Sequence, residues 1–239
     1  GLRLDEIAAT HGTPLYVYSG DGIREDYDNF AAAVAPVDGT VHFALKANSA
    51  VGVMALLARR GAGADIVSGG EMQRALVAGV PAAKIVFSGV GKSAEEIGAA
   101  LDANIGQINA ESMAEVEAIS AIAAGRGVEA PVALRVNIDV DPRTHAKIST
   151  GQRSTKFGVS TAQNEAADLY RRMAADPHIR PAGLAVHIGS QIRDLDPFER
   201  AYAALLDFGL SLRGDGLPVP TLDLGGGIGI VYADETAPD

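Results

Sequence analysis

Lys46 closes the run His42-Phe43-Ala44-Leu45 and is followed by Ala47-Asn48. An amine with apolar neighbours is partly desolvated, and a desolvated amine can attack a carbonyl to form a Schiff base. A solvated lysine at a strand exit is the bland alternative. Gly225-Gly226-Gly227 follows the apolar run 221–224. Three residues without Cβ let the backbone approach a ligand and turn N–H groups toward an anion, although a tight turn needs glycine too. A dinucleotide fingerprint is excluded, because the third glycine position after Gly225 and Gly227 holds Ile230. His187 ends Leu184-Ala185-Val186-His187, where it is either a hydrogen-bonded core residue or a contact for a bound ring. Ser190 offers a hydroxyl to a phosphate, or caps a turn.

Residues 144–158 form a long polar stretch holding His145, Lys147, Arg153 and Lys156. Such a stretch is either a lid over a site or a solvated excursion. Asp139 and Asp141 hint at a cation, but no ligand-spaced acid or histidine joins them, so a strand-end turn is expected and no metal. With no cysteine in the chain, thiolate metal sites, disulfides and a thiol nucleophile are excluded within these residues.

Short apolar runs alternate with helix-spaced patterns along the chain. Residues 15–18 read as a lead-in strand. A regular series of strands is then expected at 41–45, 64–67, 85–88, 107–109, 132–137, 183–187 and 221–224. Helices are expected at 51–60, 71–78, 94–103, 113–124, 163–175 and 197–212. Ser93 with Glu96, Ser112 with Glu115, and Ser160 with Gln163 each fit a capping box. Asp196, Pro197 and Glu199 supply an N-cap, a first-turn proline and an acidic first turn. Gly61, Gly79 and Gly125 are placed to stop helices.

Strand–helix alternation of this regularity means an α/β fold with a parallel sheet, and its spacing favours a (β/α)8-type barrel. The domain is expected to occupy residues 1–239, with a lead-in strand and helix in 1–35 and the barrel in 40–239. The count stops at seven strands, so the barrel is expected to be cut short. Lys46, His187 and the glycines all fall at strand C-terminal ends, the active face of such barrels, and the glycines follow strand seven, where phosphate is commonly bound. Aldehyde chemistry at a lysine together with a phosphate cradle is what pyridoxal phosphate requires.

The 239 residues are 47% hydrophobic and 21% charged, with a formal net charge of −10. That charge argues against nucleic acid and anionic membrane as partners. No run of 18 apolar residues and no signal peptide is found, so a cytoplasmic protein is expected. A chain opening on Gly1 is expected to begin inside a longer protein.

Taken together, the motifs resemble the alanine-racemase-like, fold-type III family of pyridoxal-phosphate enzymes. The resemblance runs from Gly12-Thr13-Pro14-Leu15-Tyr16-Val17-Tyr18 through Phe43-Ala44-Leu45-Lys46-Ala47-Asn48, Gly63-Ala64-Asp65-Ile66-Val67-Ser68-Gly69-Gly70-Glu71 and Ser88-Gly89-Val90-Gly91-Lys92. It continues through Arg135-Val136-Asn137, Thr144-His145-Ala146-Lys147-Ile148-Ser149-Thr150-Gly151, Lys156-Phe157-Gly158, His187-Ile188-Gly189-Ser190-Gln191 and the run 222–229. It implies that Lys46 joins pyridoxal 5'-phosphate covalently and acts in catalysis. It also implies that His187 stacks on the cofactor ring, that Ser190 and Gly225–Gly227 hold the phosphate, and that Asp65 and Arg135 lie near the cofactor. The implied reaction is decarboxylation of meso-2,6-diaminopimelate to L-lysine and CO₂, by a homodimer with shared active sites.

Members of the family continue into an eighth strand bearing Glu-Pro-Gly-Arg and then a β domain, neither of which lies within 1–239. A sister decarboxylase acting on ornithine, arginine or carboxynorspermidine is the nearest rival. A non-enzymatic single-barrel carrier of the cofactor is another, but such carriers complete eight strands and lack the 225–229 pattern. A sugar-phosphate barrel enzyme would share the glycine loop without needing Lys46.

Overall fold

The computed structural model describes residues 2–140, 157–234 and 238. Among these residues eight parallel strands run in chain order: β1 (His42–Ala44), β2 (Gly63–Ile66), β3 (Ile85–Phe87), β4 (Gln107–Ala110), β5 (Ala130–Asn137), β6 (Val159–Ser160), β7 (Ile179–Ala185) and β8 (Thr221–Asp223). The ladder reads β1-β2-β3-β4-β5-β7-β8, with β6 a two-residue side partner of β5. The seven expected strands are therefore present, each paired in parallel with its neighbours. They form an incomplete α/β barrel, and among the described residues β1 and β8 have no ladder between them.

Among the described residues eight α-helices accompany the sheet: α1 (Leu4–His11), α2 (Gly20–Val34), α3 (Val51–Ala58), α4 (Gly69–Val77), α5 (Ala94–Asp102), α6 (Met113–Arg126), α7 (Glu165–Ala175) and α8 (Asp196–Gly214). None of them is long and apolar enough to cross a membrane. The first two precede the barrel, and the other six cross between its strands, which is why parallel strands follow one another. Strands covered on both faces read as near-continuous apolar runs. Accordingly Ile66, Ile85, Phe87, Ile108, Val132 and Leu134 are buried, against Met54 and Leu57 of α3, Ile97 of α5, Ile119 of α6 and Tyr170 of α7.

Several local expectations change. Residues 15–18 pair with no strand, and Leu15, Tyr16, Val17 and Tyr18 are all exposed. Strand propensity without a partner ladder makes no strand. Ser93 and Glu96 form the full capping box of α5. Ser112 accepts from Glu115 N, but the Glu115 carboxylate turns instead to Lys92 and to Glu111 N. The expected start at Ser160 fails, because a 3-10 turn over Ala162–Asn164 intervenes and Ser160 Oγ accepts from Ala162 N. Asp196 is already helical, and Asp194 Oδ1 accepts its N–H at 3.1 Å. Helix α6 runs through Gly125 to a left-handed stop at Gly127.

Candidate active site

The C-terminal ends of the strands gather the polar side chains. Lys46 stands exposed in the turn that leaves β1, anchored where Leu45 N donates to Asp65 O at 3.0 Å. Its amine acts electrostatically on two groups, the Asp65 carboxyl from β2 and the His187 imidazole beyond β7. The apolar enclosure expected of this lysine is thus not formed by the described residues. Leu45 beside it is fully buried, while Lys46 is exposed to solvent.

Asp65 points into the barrel. Burial pushes its carboxyl up to about 6, with the charges of Asp223 and Glu71 adding to that rise and the Ser88 hydroxyl and Lys46 opposing it. Ser88 Oγ donates to Asp65 Oδ1. Burial drives His187 the other way, down to about 4, helped by the cations Arg135 and Lys46. A neutral imidazole at neutral pH is therefore in place. Its Nδ1 accepts the Gly226 N–H at 3.4 Å, a long bond that needs an unprotonated Nδ1.

Arg135 of β5 is nearly buried and pairs with Glu111, just past β4, at 2.6 Å. Its guanidinium lies 5.2 Å over the Phe157 ring, and Glu111 Oε2 accepts Gly158 N at 3.3 Å. Beside this pair, the Lys92 side chain is fully buried and holds Glu115 and the Asn109 carbonyl, each at 2.7 Å.

The glycine loop divides into two kinds of position. A Cβ on Gly225 would lie 2.2 Å from Val186 O, and one on Gly227 would lie 1.9 Å from Gly189 O. Both have left-handed φ, of 69° and 114°. These two glycines let the loops after β7 and β8 press together, a packing sealed by Ile192 N to Gly227 O and Gly229 N to Ile192 O, each 2.9 Å. Gln191 adds a clamp, its amide taking both the N–H and the carbonyl of Ile230. A Cβ on Gly226 would meet nothing within 4 Å, so this is where the loop borders open space. The Gly225 N–H turns inward instead, onto Asp223 Oδ1 at 2.9 Å. Ser190 is exposed beside Gly227.

All eight sequence-derived positions, Lys46, Asp65, Arg135, His187, Ser190 and Gly225 to Gly227, fall at this one end of the sheet. Residues 144–156 of the expected polar loop, and Asp141, lie outside the described residues. Among those described, no group of three acids or histidines is arranged to hold a metal. Glu111 and Asn109 are additions outside the quoted motifs, and Ser88 and Asp223, which lie within them, had been given no role at the site. A buried polar residue on a strand, as at Asn109, is the signal that marks such positions.

Comparison with known proteins bears on the fold and the family. Residues 21–239 match the family described as pyridoxal-dependent decarboxylase, pyridoxal binding domain. The chain is 48% identical over 238 residues to a diaminopimelate decarboxylase of Pseudomonas aeruginosa, covering 100% of the chain and 57% of that protein. It is 47% identical over 240 residues to one from Zymomonas mobilis, covering 98% and 56%. The crystal structure of diaminopimelate decarboxylase from Helicobacter pylori complexed with L-lysine is similar with a TM-score of 0.94 and 40% identity, covering 98% of the chain and 59% of that structure. The chain thus spans just over half the length of the relatives it matches.

Proposed function

The chain belongs to the pyridoxal-dependent decarboxylases, and from that premise we propose that it carries the cofactor site of an enzyme converting meso-2,6-diaminopimelate to L-lysine and CO₂. The observation that carries this reading is the electrostatic contact of Lys46, in the turn after β1, with His187 beyond β7, whose Nδ1 in turn accepts the Gly226 N–H of the glycine loop after β8. An amine, a neutral ring and an open backbone loop at one sheet end fit a planar aldehyde bearing a phosphate. The open space at Gly226 is the point of fit for that phosphate.

When bound, pyridoxal phosphate supplies a conjugated ring that takes up the electron pair left as CO₂ departs. This chain's residues bind and orient it. Lys46 would provide the amine for covalent attachment and a base at the same place. His187, neutral because it is buried, offers a flat face without bringing a further cation to the ring. Ser190 and the outer edge of the loop at Gly226 and Gly227 receive the phosphate. Arg135, held by Glu111, adds a fixed positive charge close to His187, and Asp65 places a carboxyl opposite Lys46.

Substrate choice follows the relatives, whose names specify diaminopimelate. A homodimer with shared sites and a cytoplasmic setting complete the proposal, and both rest on the family resemblance. The test is CO₂ release by the cofactor-loaded protein from meso-diaminopimelate, ornithine and arginine in parallel. Turnover of diaminopimelate at least a hundredfold above the others is expected. Faster turnover of ornithine or arginine overturns the substrate assignment.

A further inference from the structure

Beneath the loop lies a line of polar side chains that the reaction as described leaves unused. Asp223 ends β8, and its Oδ1 accepts the Gly225 N–H at 2.9 Å. Its Oδ2 accepts Asn109 Nδ2 at 2.9 Å, across the barrel from β4. The same Asn109 Nδ2 donates to Ser88 Oγ at 3.0 Å, and the Ser88 hydroxyl donates to Asp65. Gln107 Nε2 donates to Asn109 Oδ1 at 2.7 Å, which turns the amide's NH₂ toward Ser88 and Asp223. Asn109 is 2% exposed, deep among apolar strands. A buried amide with its donors and its acceptor engaged is fixed in one orientation, and replacing it strands its partners.

We propose that Asn109 is a positioning residue of this site: with one NH₂ group it holds Asp223 under the glycine loop and, through Ser88, orients the carboxyl of Asp65 opposite Lys46. The inference rests on the function proposed above, since it gives the network a cofactor to serve. The two ends of that cofactor, phosphate and aldehyde, would then be gripped by parts of one hydrogen-bonded unit. Loop and carboxyl are linked by three side chains, from β8, β4 and the end of β3.

The charges around Asp65 give the link a measurable consequence. Asp223 from β8, Lys46 from the turn after β1 and Glu71 from α4 all act on its carboxyl, and Ser88 donates to it. The two anions raise it, Lys46 and Ser88 lower it, and burial leaves it near 6. The Ser88 hydrogen bond favours the ionised form, so its loss moves the titration upward. Asn109→Asp removes the donors and adds an anion between Asp65 and Asp223, which also moves it upward.

The experiment loads the protein with pyridoxal phosphate and measures two quantities for each variant. One is cofactor affinity. The other is the pH midpoint, between pH 5 and 8, of the change in the bound cofactor's visible absorbance as Asp65 titrates. Asp65→Asn, which should abolish the step, identifies it. Ser88→Ala should move the midpoint up by about one unit yet keep affinity within threefold, because the Asn109–Asp223–Gly225 link is intact. Asn109→Leu should weaken affinity about tenfold or more as the support of the loop goes. Asn109→Asp, similar in shape, should raise the midpoint further than Ser88→Ala, and it keeps the proposal testable if Asn109→Leu does not fold. Asn109 variants with affinity within twofold of the parent and an unmoved midpoint overturn the proposal, even if their melting temperature falls. A parent protein that takes up no pyridoxal phosphate at Lys46 overturns the functional reading itself, and the coupling with it.

Discussion

His187 and Gly226 come from different strand ends, and the imidazole Nδ1 of the first accepts the backbone N–H of the second at 3.4 Å. The contact joins the ring that would face the cofactor to the loop that would hold its phosphate. It also requires that His187 remain neutral. Burial holds the imidazole down at about 4, while Asp65 is held up at about 6.

The two displaced groups bend stability with pH in opposite directions. Between about pH 6.5 and 4 the unfolded chain protonates His187 and the folded protein does not, so this histidine costs stability as pH falls. Between about pH 6 and 4 the folded protein keeps a proton on Asp65 that the unfolded chain has lost, so this carboxyl adds stability as pH falls and loses it as pH rises through 6. Each limb approaches ~1.4 kcal/mol per pH unit where only one state is protonated. His187→Gln should therefore gain on the parent as pH is lowered from 6.5 to 4, and Asp65→Asn should lose ground from 6 to 4. Urea titrations at five pH values decide it, and parallel curves for parent and variants would contradict both shifts.

Lys46 should be the covalent anchor. Borohydride reduction of the cofactor-loaded protein, followed by peptide mapping, is expected to place the label on Lys46. Lys46→Ala should keep weak cofactor binding through the loop but lose covalent attachment and at least a thousandfold in turnover. Label on Lys84 or Lys92 would refute the assignment.

Gly226→Val should separate binding from folding. Its Cβ enters open space and its φ is not left-handed, so the melting temperature should stay within about 2 °C of the parent. Cofactor affinity should fall at least tenfold, because the branched side chain occupies the mouth of the loop. Gly227→Val is the contrast, since its Cβ would meet Gly189 O at 1.9 Å and destabilise the protein outright. Equal affinity in Gly226→Val and the parent would reduce the glycines to a turn.

Arg135→Met leaves Glu111 buried without its cation and should cost about 3 kcal/mol, as removing one member of a buried pair does. Pairing it with Glu111→Leu should recover part of that loss. Chemical denaturation of the two single variants and the double measures the coupling, and strict additivity would mean that the 2.6 Å contact contributes nothing.

The fold and the motif-bearing residues were legible in the sequence for a local reason. Lys46, His187 and Gly225 to Gly227 each sit where an apolar run ends, and parallel alternation puts every such end on one face. The network was not legible, because its meaning depends on distance along the chain. Ser88 and Asn109 are 21 positions apart, and Asn109 and Asp223 are 114. No local pattern tells a buried asparagine that caps its own strand from one that reaches across a barrel. Residues 15–18 mislead in the opposite sense: their side chains favour a strand, but without a neighbouring ladder the backbone makes none. Ser160 has the spacing of a cap, and a 3-10 turn delays the helix by a few residues.

The order of the ladder has a consequence for how the molecule is made. From β1 to β5 every strand pairs with the one synthesised just before it, and β7 and β8 extend the same edge. The sheet can therefore grow in step with a chain emerging from the ribosome, each new strand docking on one already in place. The bond from Asn109 to Asp223 breaks that rhythm, since its two partners emerge far apart in time. Until β8 arrives, Asn109 holds Ser88 and Gln107 in the growing core but lacks its bond to Asp223. The binding loop and the polar lock beneath it thus come into being together, only once β8 has docked on β7.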